Sequence, residues 1–159
     1  MKASSNDNPD ARGMRVAVVV SDYHADVTHA MRDAALELFT ASGGAAGDIH
    51  VIVAPGAFEL ALLALACARR DDIDAVVTLG CILTGETTHD RHLAAALAQG
   101  LTNVMLETGK AVAFGVLTCQ TIQQARARAG GSVGNKGEEA MAAAIHATAA
   151  LRTIGAGSA

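Results

Sequence analysis

The amino-acid sequence predicts an α/β domain built as a three-layer sandwich, in which a four-stranded parallel sheet lies between two layers of helices. Short apolar runs rich in Val, Ile and Leu alternate along the 159 residues with longer segments whose apolar residues recur at helical spacing. Strands that alternate with helices need crossover connections, which produce a parallel sheet. The apolar runs are nearly continuous, as expected for strands that helices cover on both faces.

The predicted elements follow one another in the order β-α-β-α-β-α-β-α-α. Strands are predicted over residues 14–21, 48–54, 74–85 and 111–118, and helices over residues 27–42, 55–70, 88–109, 121–130 and 135–154. Glycines end the first and third helices, a Pro-Gly pair opens the second, and a Thr caps the fourth. Residues 1–13 are predicted as a flexible tail, or as a strand received by another subunit, and residues 14–159 as a single domain.

Composition restricts the class of protein. The chain is 51% hydrophobic and 18% charged, with a net charge of −4, which indicates a globular protein and argues against a nucleic-acid partner. Cys67, Cys81 and Cys119 show no metal-ligand spacing and are predicted as buried thiols in a reducing compartment. No apolar run reaches the length of a membrane helix, and the polar start contains no signal core. We therefore expect a cytoplasmic protein.

Polar segments follow each of the four predicted strands. They read SDYHAD, APGAFE, TGETTH and TCQT. In an open parallel sheet, ligands bind outside the carboxyl ends of the strands. These four segments are therefore predicted to lie at the edge of the sheet that carries the functional site.

The segment TGETTH combines an anion-binding turn with a proton acceptor. It runs from a strand into a helix, whose N-terminus favours anions and disfavours a protonated imidazole. Thr87 and Thr88 can cap the helix or bind phosphate oxygens, and His89 can accept a proton or lie solvated on the surface. His92 follows one turn later, but the sequence offers no third ligand at metal spacing, so no metal is expected.

Residues in the other loops each allow a structural and a functional interpretation. Glu59 is either an acid that stabilises a helix start or a hydrogen-bond acceptor for hydroxyl groups or a ring N–H. Tyr23 either packs against its neighbours or stacks on a planar ring. Arg128 is either solvated or binds a phosphate in a bidentate way.

Together these segments resemble the lumazine synthase family of the riboflavin pathway. APGAFEL, GCILTGETTH, LETGKAVAFGVLT and RAGGSVGNKGEEA stand in the family's order and spacing, and the resemblance covers about residues 14–155. It implies the flavodoxin-like lumazine synthase fold. It also implies a transferase that condenses 5-amino-6-(D-ribitylamino)uracil with 3,4-dihydroxy-2-butanone 4-phosphate to 6,7-dimethyl-8-ribityllumazine, without a cofactor or metal.

The resemblance assigns roles to individual residues. His89 matches the proton-transfer histidine, Glu86 and Thr87 match the phosphate-binding turn, and Arg128 matches the phosphate-binding arginine. The residues that match the ribitylaminouracil site are Tyr23, Ala57, Phe58, Glu59, Cys81, Ile82, Leu83 and Phe114. Two further candidates near the site are Lys136 and His24.

The resemblance also implies an assembly. The family forms pentamers, decamers or shells of sixty subunits, with sites between neighbouring subunits, so Phe114 and Arg128 are expected to act in a neighbour's site. Riboflavin synthase is a candidate partner, and no nucleic acid or membrane partner is expected. The alternatives are a weak or inactive paralogue that binds lumazine or flavin, a shell-forming structural protein, and an unrelated α/β phosphate-binding domain.

Four positions depart from the family pattern. His24 stands where the family usually has Asn, Ala61 where Pro is common, Thr84 where a basic residue is usual, and Asp90 where an aromatic residue is frequent. Thr84 removes a positive charge near the phosphate turn, and Asp90 adds a negative charge beside His89. Catalytic efficiency is therefore the property that we expect these substitutions to affect.

Overall fold

Four parallel strands form the centre of the computed structural model, which describes residues 8–157. The strands are Val16–Ser21 (β1), Ile49–Ala54 (β2), Ala75–Leu83 (β3) and Ala111–Cys119 (β4). Their order across the sheet is β2-β1-β3-β4, and all three pairings are parallel. The predicted α/β class and four-stranded parallel sheet are confirmed.

Helices cover both faces of this sheet. They are Ala25–Ala41 (α1), Leu60–Ala68 (α2), His89–Thr108 (α3), Ile122–Ala127 (α4) and Lys136–Ala156 (α5). Because successive strand side chains point to opposite faces, β1 feeds two cores. Val18 packs with Phe39 of α1 and Met141 of α5, whereas Val19 packs with Leu60 of α2 and Leu97 of α3. The three-layer sandwich therefore has one apolar core on each side of the sheet.

The strand order places a crevice between β1 and β3. The chain passes outward from β1 to β2 and then returns across β1 to reach β3. Consequently, the connections that leave β1 and β3 run in opposite directions at the carboxyl edge of the sheet. Such a switch point is where open α/β sheets bind ligands.

Helix α2 begins later than the sequence predicts. The predicted helix 55–70 begins only at Leu60, and residues 55–59 form a turn in which the Leu60 N–H donates to the Ala57 carbonyl at 3.3 Å. Pro55 and Gly56 favour such a turn, since Pro restricts the backbone and Gly is unfavourable inside a helix. As a result, Ala57, Phe58 and Glu59 lie in a loop. The first helix, in contrast, begins earlier than predicted, at residue 25 instead of 27.

The fourth predicted helix is also too long. Residues 121–130 were expected as helix, but α4 ends at Ala127 and a small antiparallel hairpin follows, formed by Ala129–Gly131 (β5) and Gly134–Asn135 (β6). Gly130 and Gly134 have φ angles of 106° and 101°, a left-handed region that glycine enters without steric strain. These glycines turn the chain before α5 begins.

The GNKG segment joins α5 to α1. Asn135 caps α5, with its Oδ1 accepting the Gly137 N–H at 2.9 Å, and its Nδ2 donates to the Ala30 carbonyl of α1 at 3.2 Å. A Cβ at Gly137 would overlap the backbone of Met31. The segment therefore sets a close approach between two helices.

The N-terminal segment reaches the domain before β1. The Ala11 side chain is buried, and its N–H donates to the Ser42 carbonyl at 2.8 Å. Residues 1–7 of the predicted tail lie outside the described residues, so the division at residue 14 stays a prediction. None of the helices within residues 8–157 is long and apolar enough to cross a membrane.

Candidate active site

A cleft of about 790 Å³ opens at the switch point. The loops after β1, β2 and β3 and the first turns of α3 form its walls, with lining residues that include Tyr23, His24, Ala57, Phe58, Glu59, Cys81, Ile82, Leu83, Thr84, His89 and Asp90. This volume lies within the roughly 300–1,000 Å³ typical of small-molecule sites. The prediction that the polar segments after these three strands meet at one edge is therefore confirmed.

Two aromatic side chains stand on the rim of the cleft. Tyr23 follows β1 and Phe58 precedes α2, and each is 66% exposed although both are large and apolar. The floor between them is apolar and buried, formed by Cys81 and Ile82 at the end of β3. Exposed rings above an apolar floor are suited to hold a flat ligand, because an aromatic face gains from stacking.

His24 has an unusual backbone conformation beside Tyr23. Its φ and ψ angles are 59° and 49°, and it is the one non-glycine residue with positive φ among residues 8–157. Its ring meets the Tyr23 ring edge-on, with centroids 4.6 Å apart. Left-handed backbone in a residue with a side chain is strained and is frequent at functional sites. The strain places the imidazole of His24 on the wall of the cleft.

The loop between β3 and α3 exposes the first turn of α3. Thr88 is the N-cap residue of α3, and its side chain makes no capping hydrogen bond to residues that the structure describes. The Thr87 hydroxyl accepts the His89 N–H at a long 3.4 Å. Capping by these threonines is therefore weak, which leaves backbone N–H groups of the helix start available to an anion. His89 is the first residue of α3 and is exposed to the cleft.

No side chain with a permanent positive charge lines the described part of this cleft. Glu59 and Asp90 contribute carboxylates, and His24, His89 and His92 contribute imidazoles. Among residues 8–157, no group of three or more His, Cys, Asp or Glu side chains is arranged to hold a metal ion. An anion in the cleft would depend on backbone N–H groups, on imidazoles, or on a cation supplied from outside.

The Cys81 thiol is a poor nucleophile despite its place on the cleft floor. Burial, together with the neighbouring Cys119, raises the pKa of Cys81 to about 12. With this raised pKa, the group stays a neutral thiol at physiological pH. A neutral thiol is a poor nucleophile, because the thiolate is the reactive form. Cys81 therefore contributes shape and backbone groups to the cleft.

Several candidate residues lie outside the cleft of their own chain. Glu86 and Thr87 are exposed in the loop but do not line the cleft. Arg128 and Lys136 line a separate pocket of about 280 Å³. Arg128 donates to the Gln124 carbonyl at 3.1 Å, and the Lys136 Nζ lies 3.1 Å from a Glu139 carboxylate oxygen. The ring of Phe114 lies on β4, in a surface groove.

The structure adds lining residues that the sequence prediction omitted. Thr84 and Asp90 lie at the two ends of the loop, and His92, Leu93 and Ala96 continue the wall along α3. The three residues of α3 follow His89 at helical spacings of three, four and seven, so the spacing alone could have identified them. The family resemblance already places Thr84 near the phosphate turn and Asp90 beside His89, but nothing in the sequence shows that their side chains meet across the loop.

The fold and cleft define an open parallel α/β protein with a cleft of small-molecule size at its switch point. A model of the 6,7-dimethyl-8-ribityllumazine synthase family matches residues 13–152. A 6,7-dimethyl-8-ribityllumazine synthase of Thermus thermophilus is 43% identical over 144 residues, which cover 91% of this chain and 92% of that protein. A protein of the same name from Syntrophus aciditrophicus is 41% identical, over 91% of this chain and 94% of that protein. Another from Rhodopirellula baltica is 40% identical, over 79% of this chain and 81% of that protein. The chain belongs to the 6,7-dimethyl-8-ribityllumazine synthase family.

Proposed function

We propose that this protein condenses 5-amino-6-(D-ribitylamino)uracil with 3,4-dihydroxy-2-butanone 4-phosphate, and releases 6,7-dimethyl-8-ribityllumazine, inorganic phosphate and water. The observation that carries the proposal is that His89 opens on the same cleft as Tyr23 and Glu59. A proton-transfer group, an aromatic platform and a hydrogen-bond acceptor are therefore available to one pair of substrates. The reaction itself is inferred from membership of the 6,7-dimethyl-8-ribityllumazine synthase family.

The cleft divides into two parts that suit the two substrates. The uracil ring would lie between the rim aromatics and the backbone of Cys81, Ile82 and Leu83, while its ribityl hydroxyls would face residues 57–59. The phosphate would lie at the start of α3, beside Gly85 and the Glu86–Thr87 turn, where backbone N–H groups favour an anion. His89 lies between these two parts and can take up and return protons during imine formation, ring closure and dehydration.

A neighbouring subunit would complete the site. The cleft lining within the described residues includes neither Lys nor Arg, although a phosphorylated substrate carries negative charge. Arg128, Lys136 and Phe114 lie on other surfaces of the same chain. We therefore assign Arg128 to the phosphate and Phe114 to the uracil ring of an adjacent subunit, with Lys136 as a further contact from the same neighbour. His24 is a further contact from the cleft's own subunit. This assignment requires a homo-oligomer, and the family resemblance favours a pentamer or a multiple of it.

The direct test is to mix the purified protein with both substrates and follow lumazine absorbance and fluorescence against a blank without enzyme. The blank is necessary because the two substrates also react without catalysis. Product formation above the blank supports the proposal. A rate equal to the blank, from protein that is folded and pentameric by light scattering, contradicts it and favours an inactive paralogue that binds lumazine or flavin, or a shell protein.

We also propose that the protein acts in the cytoplasm and that riboflavin synthase is a partner.

A further inference from the structure

Two side chains join the ends of the loop between β3 and α3. Thr84 immediately follows β3, and Asp90 lies in the first turn of α3. The Thr84 hydroxyl donates to Asp90 Oδ2 at 3.2 Å, and the Thr84 N–H donates to the Cys119 carbonyl of β4 at 2.9 Å. Thr84 is therefore fixed both to the sheet and to the start of the helix.

This pair encloses the segment that is proposed to meet the phosphate. Residues 85–88 belong to neither a strand nor a helix, and all four are partly or fully exposed. A flexible loop that closes on an anion loses conformational entropy when it binds, and that loss weakens affinity. A loop whose ends are already joined loses less, so it binds the same anion more tightly.

We infer that the Thr84–Asp90 hydrogen bond is a positioning contact that holds residues 85–88 ready for the phosphate of the butanone substrate. This inference rests on the proposed function. Neither residue has to touch the substrate for it, since the contact acts through the backbone of the loop. The two side chains contact each other across the loop. The hydrogen bond therefore gives Thr84 and Asp90 a shared role.

The charge of Asp90 has an effect that opposes the effect of its hydrogen bond. A carboxylate on the cleft wall repels a phosphate, and the cleft already contains the carboxylate of Glu59. Replacement by Asn removes the charge and keeps an oxygen that accepts from Thr84, whereas replacement by Ala removes both. The two substitutions therefore separate the hydrogen bond from the charge.

The kinetic test compares Thr84→Val, Thr84→Ser, Asp90→Ala, Asp90→Asn and the double variant Thr84→Val/Asp90→Ala. We expect Thr84→Val to raise KM for the butanone phosphate about fivefold, as for loss of one ordinary hydrogen bond. Asp90→Ala should raise it less, because that substitution also removes a charge that repels the phosphate. KM for the ribitylaminouracil should not change, and kcat should change less than twofold. Thr84→Ser and Asp90→Asn, which keep a donor and an acceptor, should have KM at or below the wild-type value.

The double variant decides whether the two residues act together. If they act through one contact, the double variant should be no worse than either single variant, because the second substitution removes nothing more. Multiplied effects, an unchanged KM in Thr84→Val, or an Asp90→Asn variant as impaired as Asp90→Ala would overturn the inference.

Hydrogen exchange provides a measurement that does not depend on catalysis. Amides of residues 85–90 in the intact oligomer should exchange several-fold faster in Thr84→Val and Asp90→Ala than in the wild type, while β4 should be unchanged. If these amides exchange faster in the variants but the wild-type protein forms no product, the proposed function is contradicted and the positioning role is supported. Unchanged exchange would overturn the positioning role even if the wild-type protein is active.

Discussion

Among the three histidines that line the cleft, His89 is the one at the start of α3. It is the first residue of α3, and its imidazole opens on the cleft beside the apolar floor. We expect His89→Ala to lower kcat about 100-fold, the usual contribution of one acid–base group, without abolishing turnover. The remaining rate would come from holding the two substrates together. Steady-state assays with both substrates saturating measure this loss.

His146 provides a matched control for that substitution. It is another histidine on a long helix, but it lies on α5 and does not line the cleft. His146→Ala should leave kcat within about twofold of wild type, as for a substitution remote from the reacting groups. If His89→Ala also retained wild-type kcat, proton transfer would have to be assigned to another residue.

Cys81 should resist chemical modification in the folded protein. Its thiol pKa of about 12, against an ordinary value of 9.0, follows from burial first and from the nearby Cys119 second. At pH 8 this difference lowers the thiolate fraction by about a thousandfold. We therefore expect iodoacetamide to leave Cys81 unlabelled in the native protein and to label it in urea, as determined by peptide mass spectrometry. Rapid native labelling at pH 8 would show that the floor of the cleft opens to solvent.

Individual site residues differ in how far the sequence could predict them. Tyr23, Glu59 and His89 each follow closely after a predicted strand, so topology alone places them at the ligand edge. Thr84 and Asp90 meet only because the loop folds back over six residues, and no periodic pattern encodes such a contact. The left-handed backbone of His24 likewise has no counterpart in any periodic pattern of the sequence.

At the scale of elements, the junction between α1 and α5 depends on one glycine. We expect Gly137→Ala to destabilise the fold by about 1–3 kcal/mol, the usual cost of overpacking, because the new methyl group would overlap the backbone of Met31. Thermal unfolding at fixed protein concentration measures the change, since oligomers unfold in a concentration-dependent way.

Gly155 is the matched control on the same helix. Apart from its chain neighbours and the adjacent backbone of the helix, no atom of residues 8–157 lies within 4 Å of a Cβ built there, and its backbone is helical and exposed. Gly155→Ala should therefore raise stability slightly, by up to about 1 kcal/mol, because alanine favours the helix. Equal destabilisation by both substitutions would mean that close helix packing is not the cause.

Element boundaries were predicted best where a core decides them. The four strands lie within two residues of their predicted limits, because buried apolar runs on a sheet leave few alternatives. The predicted start of α2 was wrong, and the β5–β6 hairpin was predicted as helix. Both errors fall in Gly-containing turns, whose geometry depends on local φ angles. The loop at residues 55–59 matters for function, because it frees three predicted site residues from the helix.

At the scale of the whole molecule, one chain carries two incomplete halves of the proposed site. The cleft has His89 and the exposed rings of Tyr23 and Phe58, and the separate pocket beside β4 has the cations Arg128 and Lys136. A ring of identical subunits can bring the cleft of one subunit to the pocket of the next at every interface. The proposal therefore makes each active site depend on two chains.

Mixed oligomers test this dependence. In a protein assembled from equal amounts of His89→Ala and Arg128→Ala chains, a site is intact when an unaltered cleft meets an unaltered Arg128. Random assembly around a ring makes about a quarter of the sites intact, so the mixture should regain about a quarter of the wild-type rate. The rate should be measured with the butanone phosphate below its KM, where loss of Arg128 is most evident.

The control mixture pairs His89→Ala with Glu59→Ala. Both residues line the same cleft of one chain, so no arrangement of these subunits produces an intact site. This mixture should show only the average of its two parent variants. If the His89→Ala and Arg128→Ala mixture also showed only that average, Arg128 would not act in a neighbour's site. The phosphate would then depend on the α3 N-terminus and on the histidines of the cleft.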